Sequence, residues 1–354
     1  MGRPRTLAEA YRHHGEADAA GTSPLRGQVA LALGGSEEAL RVLGTLPARL
    51  RRPAVVLAAL HDLALAGRAP ALAAAHAEGD GAAAGAAAVD VLLRRTGDLV
   101  AVAARRRPRT DGTGPCAVLY PAVAEAARRA GADAVGLVAL GSAAGLVLQV
   151  DRVDLAYGDG RRLGDPSSPV RVSAAVVGSR PVPATVLPEV VARIAVDPDP
   201  LDVTDPDDAR WLRACLPPDQ PQEAARLAAE TALAAGAPPL LLRGDAVGAL
   251  PGALDREPAG ALPVVTTTWA LARLPPARRE AFRRGLQEAA AGRAVAWVSV
   301  EGVGVAPGVP TLGDRAASGH SIVGVTDGDR CPLRAAAVGR CWSRGRTLSW
   351  LAGP

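Results

Sequence analysis

Val135-Gly136-Leu137-Val138-Ala139-Leu140-Gly141-Ser142-Ala143-Ala144-Gly145 is the stretch on which the fold turns. Six residues without charge run into a segment of glycine, serine and alanine, and Leu146, Val147 and Leu148 follow. A continuous apolar run bounded by turn residues reads as a parallel strand buried on both faces. The small residues after it read as a loop, and the spacing predicts that Leu146–Leu148 open a helix. Working outward, four more runs repeat the strand pattern: Ala192–Val196, Leu240–Arg243, Leu262–Thr267 and Val295–Val300. Helix-like or loop segments separate them, starting with a helix over Cys116–Arg129, and this alternation predicts a parallel α/β sheet. Ser321–Thr326 and Arg346–Leu351 alternate apolar and polar residues, as a terminal pair of edge strands would. Between the first and second strands, Val153–Val177 carries Tyr157-Gly158-Asp159-Gly160 and Asp165-Pro166-Ser167-Ser168-Pro169, which reads as a β-hairpin inserted at about 152–180.

Upstream of this sheet the pattern is helical. Leu40, Val42, Leu43 and Leu46, and again Val55, Leu57, Leu60, Leu63 and Leu65, follow helical spacing. Ser23 before Pro24 and Ser36 before Glu37-Glu38 read as N-caps. Five to seven short helices are expected before Arg105-Arg106-Arg107-Pro108-Arg109, which reads as a basic helix end with a proline stop or as an anion-binding patch. The expected division is a helical lid domain over 1–108 and an α/β domain over 109–354.

With 354 residues the chain is long enough for two cores. It contains no lysine, so all 40 basic residues are arginine. That removes the Walker A loop, the pyridoxal Schiff base and the protein kinase, each of which needs its lysine. A formal charge of +4 with only five Trp, three Tyr and one Phe argues against a nucleic-acid platform. Cys116, Cys215, Cys331 and Cys341 form no CxxC pair, and with His320 their spacings do not suit zinc. The start lacks an apolar signal core and no run reaches membrane-spanning length, so a cytoplasmic protein with free thiols is expected.

Candidate chemistry gathers where strands end, because ligands of doubly wound sheets lie beyond the carboxyl ends at the switch point. Gly141, Ser142, Ala143 and Gly145 form the first loop, Asp197 closes the second strand and Asp245 the third. Asp197 is suited to accept from two ribose hydroxyls and Asp245 from an adenine amino group; both could equally cap the helices that follow. The acidic run Asp197–Asp208 lacks the glycine and terminal glutamate of a calcium loop; Asp205-Pro206 reads as a helix start. His61 reads as a hydrogen-bonded structural histidine, Cys116 has no histidine partner, and no G-x-S-x-G elbow is present. Thr267, Glu301 and Tyr120 are the weak catalytic candidates, with substrate expected over the fourth and fifth strand ends near Thr268 and Trp269.

Over nearly its whole length the chain resembles the bacterial family known as domain of unknown function 2332. The resemblance rests on Gly21-Thr22-Ser23-Pro24-Leu25, on Leu57-Ala58-Ala59-Leu60-His61-Asp62-Leu63, and on the glycine loop with Asp151-Arg152. It continues from Asp202 through Trp211-Leu212-Arg213 to Pro218-Asp219-Gln220. The resemblance implies a Rossmann-like, class I methyltransferase-type fold, whose order of elements is five parallel strands and a terminal pair, and supplies no reaction. Ala139, Val147, the segment Thr110-Asp111-Gly112-Thr113-Gly114-Pro115 and Thr267 depart from the family's pattern. The leading expectation is a small-molecule methyltransferase using S-adenosylmethionine. Its rivals are a non-catalytic Rossmann-like binding or scaffold protein and a nucleotide- or NAD-dependent enzyme. The last is disfavoured because Asp197 lies far beyond the roughly twenty residues usual after a dinucleotide glycine loop.

Overall fold

A computed structural model describes residues 6–21, 23–328 and 333–353. The chain divides into two compact units. One holds the chain through Thr110 together with Thr204–Ala228; the other holds Asp111–Val203 and the chain from Ala229 onward.

The first unit is helical. Seven helices run from Leu7 to Arg105 among the described residues, and their starts follow local chemistry. The Ser23 hydroxyl accepts from the N–H of Arg26, Ser36 from Ala39, and Asp80 from Ala82 and Ala83. Each satisfies donors that a helix N-terminus leaves open. Two helices, Leu7–Gly21 and Pro24–Gly35, cross closely enough that a Cβ on Gly15 would stand 2.8 Å from the Gly27 carbonyl.

Thr204–Ala228 joins this unit, whereas the sequence reading assigned it to the α/β domain. Asp205 caps the helix Pro206–Ala214 through the N–H groups of Asp207 and Asp208. That helix packs on Pro53–Leu65. It buries Trp211, whose indole N–H donates to the Arg107 carbonyl at 2.9 Å. Arg210 bonds the buried Asp62 at 3.0 Å. These partners are distant in sequence, so the helix's own periodicity could not reveal where it docks.

The second unit carries one sheet of eleven strands: β1 (Ala134–Leu140), β2 (Asp154–Tyr157), β3 (Arg162–Gly164), β4 (Arg171–Val176), β5 (Glu189–Asp197), β6 (Leu240–Arg243), β7 (Leu262–Thr268), β8 (Val295–Gly302), β9 (Ser321–Gly328), β10 (Arg334–Trp342) and β11 (Thr347–Trp350). Their order is β3-β2-β4-β11-β10-β9-β8-β7-β1-β5-β6. The stretch β6-β5-β1-β7-β8 is parallel throughout. Within this stretch β5 and then β6 lie on one side of β1, and β7 and β8, later in the chain, lie on its other side. A crevice opens at the carboxyl ends where such an order reverses. Leu137 and Ala139 belong to one apolar cluster with the helix Cys116–Ala130. Val138 and Leu140 belong to the opposite one with Phe282 and Leu286 of the helix Pro276–Ala290. Burial on both faces is why β1, β7 and β8 read as unbroken apolar runs.

Three expectations are corrected. First, Leu146–Leu148 form only a single 3₁₀ turn, not the start of an α-helix. Gly145 enters it in the left-handed conformation (φ 65°), and Arg152 bonds back to the Gln149 carbonyl at 2.9 Å, turning the chain toward β2. Second, the insertion exceeds a hairpin. β2 and β3 pair antiparallel, but β4 lies parallel to β2 and also pairs with β11, so the segment extends the sheet. Third, the terminal pair is a triplet. β10 stands between β9 and β11 and pairs antiparallel with both. The sheet is thus larger than seven strands.

Candidate functional site

At the crevice the loop after β1 is built from its own chain's bonds. Gly141 (φ 79°) donates its N–H to the Val196 carbonyl at 2.8 Å, and the Ala143 carbonyl accepts from Leu201 at 2.8 Å. A Cβ on Gly141 would meet Ala270 at 2.9 Å; one on Gly145 would meet Pro239 at 2.7 Å and Ala195 at 3.1 Å. Glycine is therefore required at Gly141 and Gly145 by positive φ and by neighbouring residues of this chain.

The decisive occupant of the loop is Asp111, which precedes the helix Cys116–Ala130. Its carboxylate accepts from Ser142 Oγ at 3.0 Å, from the Ala144 N–H at 2.8 Å and from the Gly112 N–H at 2.9 Å. All three donors are neutral. Burial raises the Asp111 pKa, the three donors oppose that rise, and the charge of nearby Asp197 adds to it. Next to Asp111, Thr113 donates its hydroxyl to the buried Glu230 at 2.6 Å. Asp197 itself is buried at the end of β5, where Oδ1 accepts from the Asp199 N–H at 2.8 Å. Two carboxyl groups, Asp111 and Asp197, thus stand near each other at the ends of β1 and β5.

The other predicted residues divide. Asp245 follows β6 but accepts from the N–H groups of Val247 and Gly248 at 3.0 and 3.1 Å and pairs with Arg278. Against the effect of burial, those donors and the guanidinium hold its carboxyl below the usual range. Tyr120 is buried in the helix Cys116–Ala130, and its oxygen accepts from Leu187 at 3.1 Å. Thr267 is buried in β7, with Oγ1 accepting from the Trp297 indole at 3.0 Å. Each of these three is engaged in holding its own neighbourhood together.

Glu301 is different. It ends β8 fully buried, with Oε1 accepting from the N–H groups of Ala270 and Leu271 at 3.0 and 2.9 Å. Burial pushes its carboxyl up to about 7. Ala270 also abuts Gly141, so Glu301 supports the segment that borders the glycine loop. Trp269, one residue earlier, is held at φ 53° by bonds from its backbone N–H to Val300 and from its indole N–H to Ser321 Oγ, both 2.9 Å. Gly141, Ser142, Ala143, Asp197 and Glu301 therefore gather along one edge, with Asp111 added. Sequence reasoning noted Asp111 as a residue of a departing segment and, with Asp151, as a group that could compensate for the polar groups lost from the loop, but nothing local tells that it folds back onto a loop more than thirty residues away.

The remaining candidates are structural. Two carbonyls, Ala214 and Leu216, lie 3.2 and 3.0 Å from His61 Nδ1, and burial, then His76 and Arg213, push its pKa down to about 4. The Cys116 thiol is buried, faces the Val147 carbonyl at 3.5 Å and titrates well above its ordinary range, chiefly through burial. Cys331 lies outside the described residues. Among the described residues no three His, Cys, Asp or Glu side chains form a metal-binding group, and no single helix is long and apolar enough to cross a membrane.

A family model described as an uncharacterised protein conserved in bacteria matches residues 8–350. No curated protein and no solved structure matches the chain.

Proposed function

We propose that this chain, which belongs to the bacterial family domain of unknown function 2332, binds S-adenosylmethionine in its α/β unit and methylates a small molecule. The observation that carries this reading is the placement of the Asp111 and Asp197 carboxyl groups at the glycine loop. A phosphate-bearing cofactor relies on free N–H groups and positive potential at such a loop. Here the Ala144 N–H is already donated to Asp111, and Asp197 adds a second carboxylate. A ligand carrying a sulfonium and an ammonium would favour the ionised form of these carboxyl groups and gain from it, whereas the phosphates of NAD or ATP would not.

Ser142 and Ala143 would border the methionine portion together with Gly141 and Gly145, Asp111 would face its ammonium, and Asp197 would accept from the ribose hydroxyls. Asp245 would reach the adenine amino group only by releasing Arg278. When bound, S-adenosylmethionine supplies an electrophilic methyl group. The chain's task is to align the acceptor and exclude water, which needs no strong base on this loop. A small-molecule acceptor would lie beyond β7 and β8, and the setting is a cytoplasmic one without nucleic acid or membrane.

A competing reading is a scaffold that has lost its ligand. The observation favouring it is that Asp111 fills donors a ligand would otherwise use. Thermal unfolding with added ligands separates the readings. S-adenosylhomocysteine, the stable product analogue, is expected to stabilise the protein by about 2.7 kcal/mol at a hundredfold excess over its dissociation constant. NAD and ATP are expected to leave it unchanged. Equal stabilisation by NAD or ATP overturns the cofactor assignment, and no stabilisation by any of them favours the scaffold.

A further inference from the structure

Several guanidiniums of the helical unit answer a carboxylate. Arg26 pairs with Asp18, Arg68 with Asp98, Arg106 with Asp208, and Arg210 with Asp62 and Asp207. The pattern changes where the turn between the helices Glu37–Thr45 and Pro53–Leu65 meets the end of the helix Thr96–Arg105. There Arg49 donates Nη2 to the Ala104 carbonyl at 3.0 Å, Arg51 donates Nη1 to the Gly44 carbonyl at 3.3 Å, and Arg105 donates Nε to the Ala101 carbonyl at 3.1 Å. These partners are neutral. Arg52 follows in the same turn and leads into Pro53. We infer that Arg49, Arg51, Arg52 and Arg105 form one docking surface, and that its partner is an acidic segment of another protein. The surface is independent of any cofactor in the α/β unit.

Charge is the first support. The carbonyls that Arg49, Arg51 and Arg105 touch lie in the last turns of two helices, and each helix end carries roughly half a negative charge. Four guanidiniums against two such ends leave about three positive charges in one place. Asp207, which feels the charge of Arg105, is already paired with Arg210, and Asp208 with Arg106. Arg49, Arg52 and Arg105 are exposed and Arg51 is half-buried, so a partner can reach all four.

The second support is the rigidity of the turn. Pro47 and Pro53 bracket it. The Leu50 N–H donates to the Pro47 carbonyl at 2.8 Å, the Leu50 side chain is buried, and the Tyr11 hydroxyl donates to the Arg51 carbonyl at 3.1 Å. A backbone fixed in this way presents its arginines with little further ordering, which lowers the cost of association. Arg105 thus serves both readings of its basic segment: it caps its own helix end and adds its charge to the surface.

The chemistry of the surroundings selects the partner. A planar guanidinium matches a carboxylate with two parallel bonds. Single-stranded nucleic acid calls for exposed aromatic rings on which bases stack. Among Trp, Tyr and Phe the helical unit holds Tyr11 and Trp211, and both are fully buried. A lipid surface calls for apolar side chains that enter it beside the cations, and Leu50, between Arg49 and Arg51, is turned into the core instead.

The test is fluorescence anisotropy of a fluorescein-labelled poly-glutamate peptide titrated with the full-length protein. Saturable binding is expected, weakening about tenfold from low to physiological salt because exposed charges are screened. Arg49→Gln, Arg52→Gln and Arg105→Gln combined are expected to weaken it by about tenfold or more, and Arg52→Glu alone by about threefold, with circular dichroism unchanged. A control carrying Arg284→Gln, Arg344→Gln and Arg346→Gln removes the same charge from exposed positions of the α/β unit and is expected to retain binding. Absence of saturable binding, or an equal loss in the control, overturns the proposal. So does tighter binding of a DNA oligonucleotide, or of vesicles of phosphatidylserine and phosphatidylcholine, that the same three substitutions abolish.

Discussion

Replacing Glu301 with Gln tests whether the carboxyl at the end of β8 is as isolated as its geometry implies. Glu301 is fully buried, and its Oε1 takes the Ala270 and Leu271 N–H groups. Burial lifts its pKa from 4.5 to about 7. A difference of that size corresponds to about 3 kcal/mol of pH-dependent stability. The folded pKa is above the unfolded one, so this stability is fully present below about pH 4.5 and is lost as pH rises through about 7. Glutamine lacks the titration and carries only a constant offset from its own buried amide. The stability of the wild type relative to Glu301→Gln should therefore fall by about 3 kcal/mol between pH 4 and pH 9. Urea unfolding at intervals across that range, followed by circular dichroism, measures the difference directly. A difference between the two proteins that stays constant across this range refutes the assignment of a neutral, buried carboxyl.

Three further outcomes follow from packing and capping. Gly145→Ala must hold positive φ and place a Cβ against Pro239, so urea unfolding should show a loss of about 1–3 kcal/mol; unchanged stability would contradict the described loop. Phe282 is fully buried and meets Trp297 edge-to-face at 5.2 Å, so Phe282→Ala should lose roughly 3–5 kcal/mol in the same assay. Ser23→Ala removes the cap on Arg26 and the bond to Asp219, and should cost about 0.5–2 kcal/mol of stability in the helical unit, read by its helical signal.

What the sequence made legible was whatever local chemistry determines. β1, β7, β8 and the second half of β5 stood out because burial on both faces demands unbroken apolar runs, whereas β6, a part-exposed edge strand, was legible only through its run of leucines. Ser23, Ser36 and Asp205 marked helix starts because a cap requires a side-chain oxygen at that position. β10 escaped notice because Arg334-Ala335-Ala336-Ala337-Val338-Gly339-Arg340 has neither alternation nor β-branched residues beyond Val338; its neighbours on both sides make it a strand. The pairing of β4 with β11 joins segments about 170 residues apart, and no local pattern encodes it. The docking of Trp211 into the helical unit is tertiary in the same sense. The glycine loop was visible, but its reason was not: Pro239, Ala195 and Ala270 demand the glycines. Asp111 and the Arg49–Ala104 bond depend on contacts between distant segments, and isolated polar residues in a sequence carry no sign of such partners.

The central claim is that the glycine loop, with Asp111 and Asp197 beside it, holds a cationic adenosyl cofactor. Calorimetric titration of the purified protein with S-adenosylmethionine tests it most directly, with Asp111→Asn and Asp197→Ala titrated in parallel. The account predicts saturable binding that weakens in both variants while their folded circular dichroism is retained. No heat of binding to a well-folded wild type, or binding that neither substitution weakens, would contradict it.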